Sequence, residues 1–323
     1  MAATLHKRVQ RAVRSALIRA AIRLLALLPL RLAVALGGLA GRAGWLLARE
    51  SRALMLEHLA LAFPEKPEAE RRAIARACFL HLGHMAGEVI AIRSYDARLE
   101  EHVSFSDGGA ERLREIIGRG RGMVFVTGHV GSWELMARRV ARAGIPNAVI
   151  AKAGDDPKLN ALAERFRAEG GVTTLWREDR ATGRALIRTF REGKALGILI
   201  DQDTKVQGVF TPFFGRPAYT PRAAADLALR FAAPVVVATT RRRASDPCAG
   251  HEIDLVELDY DREAPDREAE VVRLTAACNA LLEAAIRRNP SEWVWMHRRW
   301  KTKPPSGGSL ASAVPKSREL SGT

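Results

Sequence analysis

Between residues 109 and 240 short apolar runs alternate with longer amphipathic stretches. The runs 122–127, 147–152, 172–176, 195–200 and 234–240 are mostly Val, Ile, Leu and Ala, bounded by Gly, Pro or polar residues, which predicts buried strands. The stretches 109–119, 133–143, 157–169, 180–192 and 221–232 read as helices. Such alternation predicts an α/β domain over 99–303, a mixed, largely parallel sheet covered by helices. His251 to Tyr260 adds a candidate antiparallel strand and Asp266 to Arg288 a final helix. Upstream, residues 3 to about 95 read as helices punctuated by Pro29, Gly37–Gly38, Pro64 and Pro67. Within them, Ile74, Cys78, Leu82, Met85 and Val89 recur at helical spacing over Glu68–Ile92. After Lys303 the Pro, Ser and Gly content rises, so 304–323 is expected to be a disordered tail. No internal repeat is visible.

Residues 1–98 have a second property. From Ala16 to Ala48 the chain is strongly apolar, but Arg19, Arg23, Arg31 and Arg42 interrupt it and Pro29 breaks it. It contains no run of about 18 uncharged apolar residues, and the arginines spoil the apolar core of a signal peptide. On a helical projection Val9, Val13, Leu17, Leu24 and Leu28 share one side, with Arg8, Arg11, Arg14, Arg19 and Arg23 elsewhere, although Ile18 and Ile22 blur the division. This predicts an interfacial helix in a membrane-associating helical region packed on the α/β domain. The alternative is a basic helix packed on its own protein.

Composition narrows the partners. A formal charge of +15 implies an acidic partner: nucleic acid, an anionic membrane surface or an acidic carrier protein. No zinc-finger spacing, aromatic RNA-binding signature or DNA-reading helix pair accompanies the charge, which argues against nucleic acid. Cys78, Cys248 and Cys278 are widely spaced and odd in number, suggesting neither a disulfide framework nor a metal site.

Two strand ends carry candidate chemistry. The run Gly128-His129-Val130-Gly131-Ser132-Trp133-Glu134 follows the first strand, with Ser132 a candidate N-cap and Gly128 and Gly131 allowing close approach of a ligand. Histidine titrates near neutrality, so His129 can serve as a general base, and a carboxylate such as Glu134 can orient its ring. No serine or cysteine sits beside it as a nucleophile, so the base would activate a substrate hydroxyl. Chance spacing is the plain alternative. The fourth run leads into Asp201-Gln202-Asp203, whose carboxylates could hold an arginine, a substrate amine or a metal, or merely cap a turn. Val209 to Pro217, aromatic and Pro-rich, reads as a rigid loop lining an apolar channel or packing in the core.

His129-x4-Glu134, Asp201-x-Asp203 with Phe210-Thr211-Pro212-Phe213-Phe214, and Trp295-Met296-His297-Arg298-Arg299-Trp300-Lys301 occur in that order, preceded by Leu59-Ala60-Leu61-Ala62-Phe63-Pro64. As an ordered set over about residues 15 to 302, they resemble the lipid A biosynthesis (lauroyl/myristoyl) acyltransferases of the wider lysophospholipid acyltransferase group. The resemblance implies a membrane enzyme at the cytoplasmic face of the inner membrane. Its reaction would move a fatty acyl chain from an acyl carrier protein or CoA thioester to a glycolipid hydroxyl. The thioester is then a co-substrate, with no cofactor and no metal expected. His129 matches the family's base and Glu134 its orienting acid; Asp203, with Asp201, matches the later acidic pair. Lys152 stands where relatives often carry arginine, and Arg167 matches a second basic position. His297 is read as structural. Other acceptors remain open (a phosphatidylinositol mannoside, an ornithine lipid, a lysophospholipid), as does a non-catalytic lipid-binding relative.

Overall fold

The apolar runs become the middle of a seven-stranded sheet in the computed structural model, which describes residues 16–305. The strands are β1 (Val103–Phe105), β2 (Met123–Thr127), β3 (Asn147–Ala151), β4 (Val172–Trp176), β5 (Ala195–Leu199), β8 (Val235–Arg242) and β9 (His251–Leu258). Their order is β1-β9-β8-β2-β5-β3-β4, and only the β8–β9 pair is antiparallel. β2 is buried at every residue, as a central parallel strand covered on both faces must be. Its side chains divide with period two: Val124 and Val126 enter one core, Met123 and Phe125 the other. The antiparallel strand and the α/β class follow the expectation; the three-residue β1 is too short to announce itself.

Six helices lie among these strands: α6 (Gly109–Gly118), α7 (Trp133–Arg142), α8 (Pro157–Glu169), α9 (Thr182–Arg191), α10 (Ala223–Phe231) and α11 (Arg267–Arg288). They are preceded by α1 (16–25), α2 (Leu30–Leu47), α3 (Arg49–Ala62), α4 (Glu68–Ile90) and the single turn α5 (Leu99–His102). Leu135, Met136 and Val140 of α7 pack with Leu113 and Ile116 of α6 on one face of the sheet. Phe190, Leu229 and Val271, from α9, α10 and α11, pack on the other.

Two expectations need correction. Gly37–Gly38 does not end a helix: both residues lie within α2, where they clear space for α4. A Cβ on Gly37 would stand 2.1 Å from the Gly83 carbonyl oxygen, so the two backbones touch where neither bears a side chain. The buried surface of α4 is wider than the single predicted stripe: α2 covers Phe79 and Gly87, while Glu88 is enclosed by Arg242 and His251 of β8 and β9, and Ala75 and His81 are buried along with Cys78. Second, the Pro-rich stretch after Asp203 is not a loop but a hairpin, β6 (Gly208–Phe213) against β7 (Arg216–Pro221). Phe214 and Gly215, both at positive φ, make its two-residue turn, the geometry that suits a twisted hairpin. A two-stranded ladder leaves each strand an unpaired edge, which is where Pro212 and Pro217 are tolerated.

Pro29 does separate α1 from α2. α2 is long and apolar enough to cross a membrane by length and composition, and its Leu32, Leu36, Leu39, Leu46 and Leu47 are exposed. Val9, Val13, Arg8, Arg11 and Arg14 of the expected interfacial stripe lie outside the described residues, as does the expected tail beyond residue 305.

Candidate active site

β2 and β5 run side by side in parallel with Thr127 opposite Leu199. Two residues further along each chain stand His129 and Asp201, so the register itself brings them together. His129 Nδ1 lies 2.9 Å from Asp201 Oδ1, and the His129 backbone N–H donates to Oδ2 at 2.7 Å. The indole N–H of Trp293 donates to the same Oδ2 at 2.8 Å. Burial alone would raise the Asp201 pKa, but the charge and hydrogen bonds of His129, helped by Trp293, hold it well below the usual carboxylate range. A carboxylate only accepts, so Nδ1 carries the ring proton and Nε2 keeps the free lone pair. Burial works to lower the His129 pKa, yet the Asp201 charge and hydrogen bond, with a further contribution from Glu134, leave it raised.

The carboxylate hydrogen-bonded to the His129 ring is therefore Asp201, where the sequence spacing had suggested Glu134. Glu134 lies in the first turn of α7, and its side chain is taken by Arg167 of α8, with Nε to Oε2 at 2.9 Å and Nη2 to Oε1 at 2.5 Å. The third guanidinium nitrogen, Nη1, is buried with no partner. Ser132 occupies the N-cap position without a side-chain cap bond; its backbone N–H instead meets Thr240 Oγ1 at 2.6 Å. Close approach at the two loop glycines serves the protein rather than a ligand. Gly131, at φ +58°, would place a Cβ 2.2 Å from Thr240 Oγ1, and Gly128 one 3.0 Å from Asp201 Cγ.

The terminal tryptophan-rich segment braces this pair. His297 has Nε2 2.9 Å from the Asp201 carbonyl oxygen and Nδ1 2.8 Å from that of Val294, so its ring is wedged between the two backbone segments. Arg299 donates to the Tyr219 carbonyl and Thr220 Oγ1 of β7. Asp203 is held by the Thr302 backbone N–H at 2.9 Å, and Lys301 Nζ donates to the Asp203 carbonyl at 2.7 Å. Both strand-end aspartates are thus engaged by the protein, and only Asp201 touches the histidine. Trp293, one residue before the Val294 contact and two before the recognised motif, was missed; nothing in its spacing announces an Asp201 donor.

His129 opens onto a cavity of 320 Å³, at the small end of the roughly 300–1,000 Å³ typical of ligand pockets. His129, Glu134, Lys152, Arg167 and Arg177 supply its titratable groups, with Thr127, Asn147, Gln202 and Thr204 as uncharged polar lining. The remainder is mostly apolar, with Phe125, Met136, Val140, Val149, Ala195 and Gly197 supplied by α7 and the facing strands. Asn147 and Ala195 are the first residues of β3 and β5, so the cavity follows five-residue strands along their length, about 16 Å at some 3.3 Å per residue. Lys152 is exposed while Arg167 is mostly buried, which separates the two basic groups by depth.

A second polar cluster has no place in that cavity's lining. Glu88 of α4, fully buried, accepts from Arg242 at 2.8 and 3.0 Å and faces His102 and His251 Nε2 at 3.3 and 3.0 Å. The three donor groups Glu88, His102 and His251 converge within 4.8 Å, a ligand-like grouping that their sequence separation hides. Arg242 already engages both carboxylate oxygens and supplies the positive charge, so the cluster is an ionic tie between α4, α5, β8 and β9. Glu88→Ala would strand Arg242 in the interior and is expected to cost about 3–5 kcal/mol, measurable as a lowered chemical-denaturation midpoint with an unchanged slope.

The family sequence model described as bacterial lipid A biosynthesis acyltransferase matches residues 4–302. Among curated proteins, the chain is 26% identical over 249 residues to a lipid A biosynthesis lauroyltransferase of Escherichia coli K12, covering 76% of this chain and 78% of that protein. It is 24% identical over 256 residues to a lipid A biosynthesis palmitoleoyltransferase of the same strain, covering 79% and 80%. A lipid A biosynthesis acyltransferase of Haemophilus influenzae aligns over 269 residues at 25% identity, covering 81% of this chain and 82% of its own.

Proposed function

The chain belongs to the bacterial lipid A biosynthesis acyltransferase family, and from that premise we propose how its residues carry out O-acyl transfer to a lipid A precursor. The observation that carries the reading is the His129–Asp201 pair opening on a cavity that is polar beside the pair and apolar along the strands. The donor's acyl chain lies along the sheet beneath α7, with its thioester carbonyl beside His129. His129 Nε2 removes the proton of an acceptor hydroxyl as its oxygen attacks that carbonyl, and Asp201 stabilises the imidazolium that forms. The tetrahedral oxyanion then collapses, the C–S bond breaks, and the proton on His129 passes to the departing thiolate. Acyl-ester and free thiol are the products, so atoms and charge balance without a cofactor.

Arg167 is proposed as the oxyanion donor. Its Nη1 is buried without a partner, its other nitrogens are fixed by Glu134, and the side chain lines the cavity. A fixed, desolvated cation of this kind needs no reorganisation when charge develops. Glu134 thereby acts on the arginine more than on the histidine. The exposed Lys152 suits a phosphate of the acceptor, as a point charge does. The exposed leucines of α2 support attachment to the inner membrane, with the catalytic body on its cytoplasmic face, where thioester donors are made.

The test is direct. Purified protein, a fatty acyl thioester and a phosphorylated glucosamine-disaccharide lipid should yield a product heavier by one acyl chain, read by mass spectrometry. Acylation of a phosphatidylinositol mannoside, an ornithine lipid or a lysophospholipid, with the disaccharide untouched, would replace the acceptor assignment. Absence of thioester consumption with every donor and acceptor would favour a lipid-binding protein instead.

A further inference from the structure

α9 and α10 leave a groove of 610 Å³ between them. Leu186, Ile187 and Leu227, all half-buried, make its floor, and the exposed Arg180, Arg184 and Arg230 stand on its rim. Stacking of Phe190 of α9 on Phe231 of α10, with ring centroids 4.6 Å apart, fixes the two helices against each other. Among the described residues neither Arg180 nor Arg184 has a carboxylate partner. By contrast, Arg222, beside the start of α10, is doubly paired with Asp226 and Glu268.

The groove is tied to the catalytic cavity by a short, braced piece of chain. Arg177 lines the cavity, and Arg180, three residues on, lines the groove. Between them the Asp179 backbone N–H donates to the Trp176 carbonyl at 3.0 Å, and Thr182 Oγ1 donates to the same oxygen at 2.5 Å. Whatever rests on the rim therefore sits at a fixed place relative to the cavity.

We propose that this groove is the docking surface for an acidic acyl carrier protein, an assignment that rests on the acyl-transfer reading above. An acidic amphipathic helix of the carrier sets apolar side chains on the floor and carboxylates against the arginine rim. Its thioester arm passes Arg177 into the cavity and brings the acyl carbonyl to His129. A lipid surface fits less well: the floor is recessed between two helices, whereas the leucines that stand out from the protein belong to α2. Rim charges of this kind act mainly on encounter, so their loss raises KM and reduces the salt dependence of association.

The experiment compares the full chain with the charge-reversed R180E/R184E variant, using two donors that carry the same dodecanoyl chain, one on acyl carrier protein and one on pantetheine alone. The variant should raise KM for the carrier-borne donor about tenfold or more, leave its kcat within about twofold, and leave both constants for acyl-pantetheine unchanged. Calorimetric titration with the unacylated carrier supplies a readout independent of turnover. It should show binding to the unsubstituted protein that weakens with salt and is lost in the variant. Unchanged KM and binding for the carrier would overturn the proposal. So would an equal rise for both donors, which would place the arginines in thioester binding. Loss of binding to vesicles rich in anionic phospholipid with carrier binding intact would reassign the surface to the membrane. Carrier binding without turnover of either donor would instead count against the acyl-transfer reading and leave the docking surface standing.

Discussion

His129→Ala should lower kcat by about 10²–10⁴-fold, the usual worth of a positioned general base, while KM for the thioester and the thermal midpoint stay close to those of the unsubstituted protein. The structure gives the reason for separating these effects. Removing the imidazole takes the partner of Asp201 Oδ1, but Oδ2 keeps two donors, the backbone N–H of residue 129 and the indole of Trp293, and the space the ring vacates opens Oδ1 to the cavity, so the carboxylate stays anchored. The apolar part of the cavity, which would hold the acyl chain, is untouched. Single-turnover transfer from a labelled thioester to the disaccharide lipid provides the measurement. Retention of turnover within about tenfold would remove His129 from the chemistry, since general-base help starts near 10²-fold.

Asp201→Asn is the second large effect, and it is informative because the side chain keeps its shape. Asp201 accepts from the His129 backbone, the His129 ring and Trp293, and an amide cannot accept at both ends. Its NH₂ group, turned to the ring, would favour the tautomer with the proton on Nε2, the nitrogen that must be free. Loss of orientation and tautomer in this manner has cost about 10⁴-fold in a serine protease triad, and a fall of that order is expected here at any pH. The pH profile adds a sign. In the unsubstituted protein the His129 pKa lies above its ordinary value, and the base works only when neutral, so the acid limb of kcat/KM should fall above about pH 6.5. With the Asp201 charge gone, burial is the largest remaining influence and the limb should move to lower pH. Glu134→Gln, which spares the Nδ1 contact, should shift the limb less while weakening the hold on Arg167. A larger displacement in Glu134→Gln than in Asp201→Asn would restore Glu134 as the orienting acid.

These residues also show what was readable in the sequence. The β-branched runs and their intervening helices were legible because a parallel sheet buried on both faces writes its strands as continuous apolar segments. His129 was legible for a related reason: a strand end followed by a helix start is a common place for chemistry. Its partner was not. Glu134 is near in sequence, but Asp201 is near in space, and the difference depends on β2 lying beside β5 in a register that pairs Thr127 with Leu199. Local spacing carries no information about that pairing. The ordered motifs pointed to the same family as the family-model match, yet the His129-x4-Glu134 spacing suggested for Glu134 the ring contact that Asp201 makes. The hairpin of β6 and β7 was hidden by its prolines, which usually argue against a strand and are admitted here on a free edge. Trp293 and the Glu88 cluster depend on long-range contacts and had no local signature.

The backbone contact between α2 and α4 has a consequence for how acceptors are chosen. Helices separated by side chains can slide or tilt; here Gly37 and Gly83 bring the backbones together, and neither tolerates an added methyl group. With the leucines of α2 in the bilayer, as proposed, the sheet has no slack tether on which to rise or sink. The elevation of His129 above the lipid headgroups becomes a fixed dimension of the molecule. On that proposal a hydroxyl must come to the base, and acceptors would be selected by how far that hydroxyl stands from the membrane.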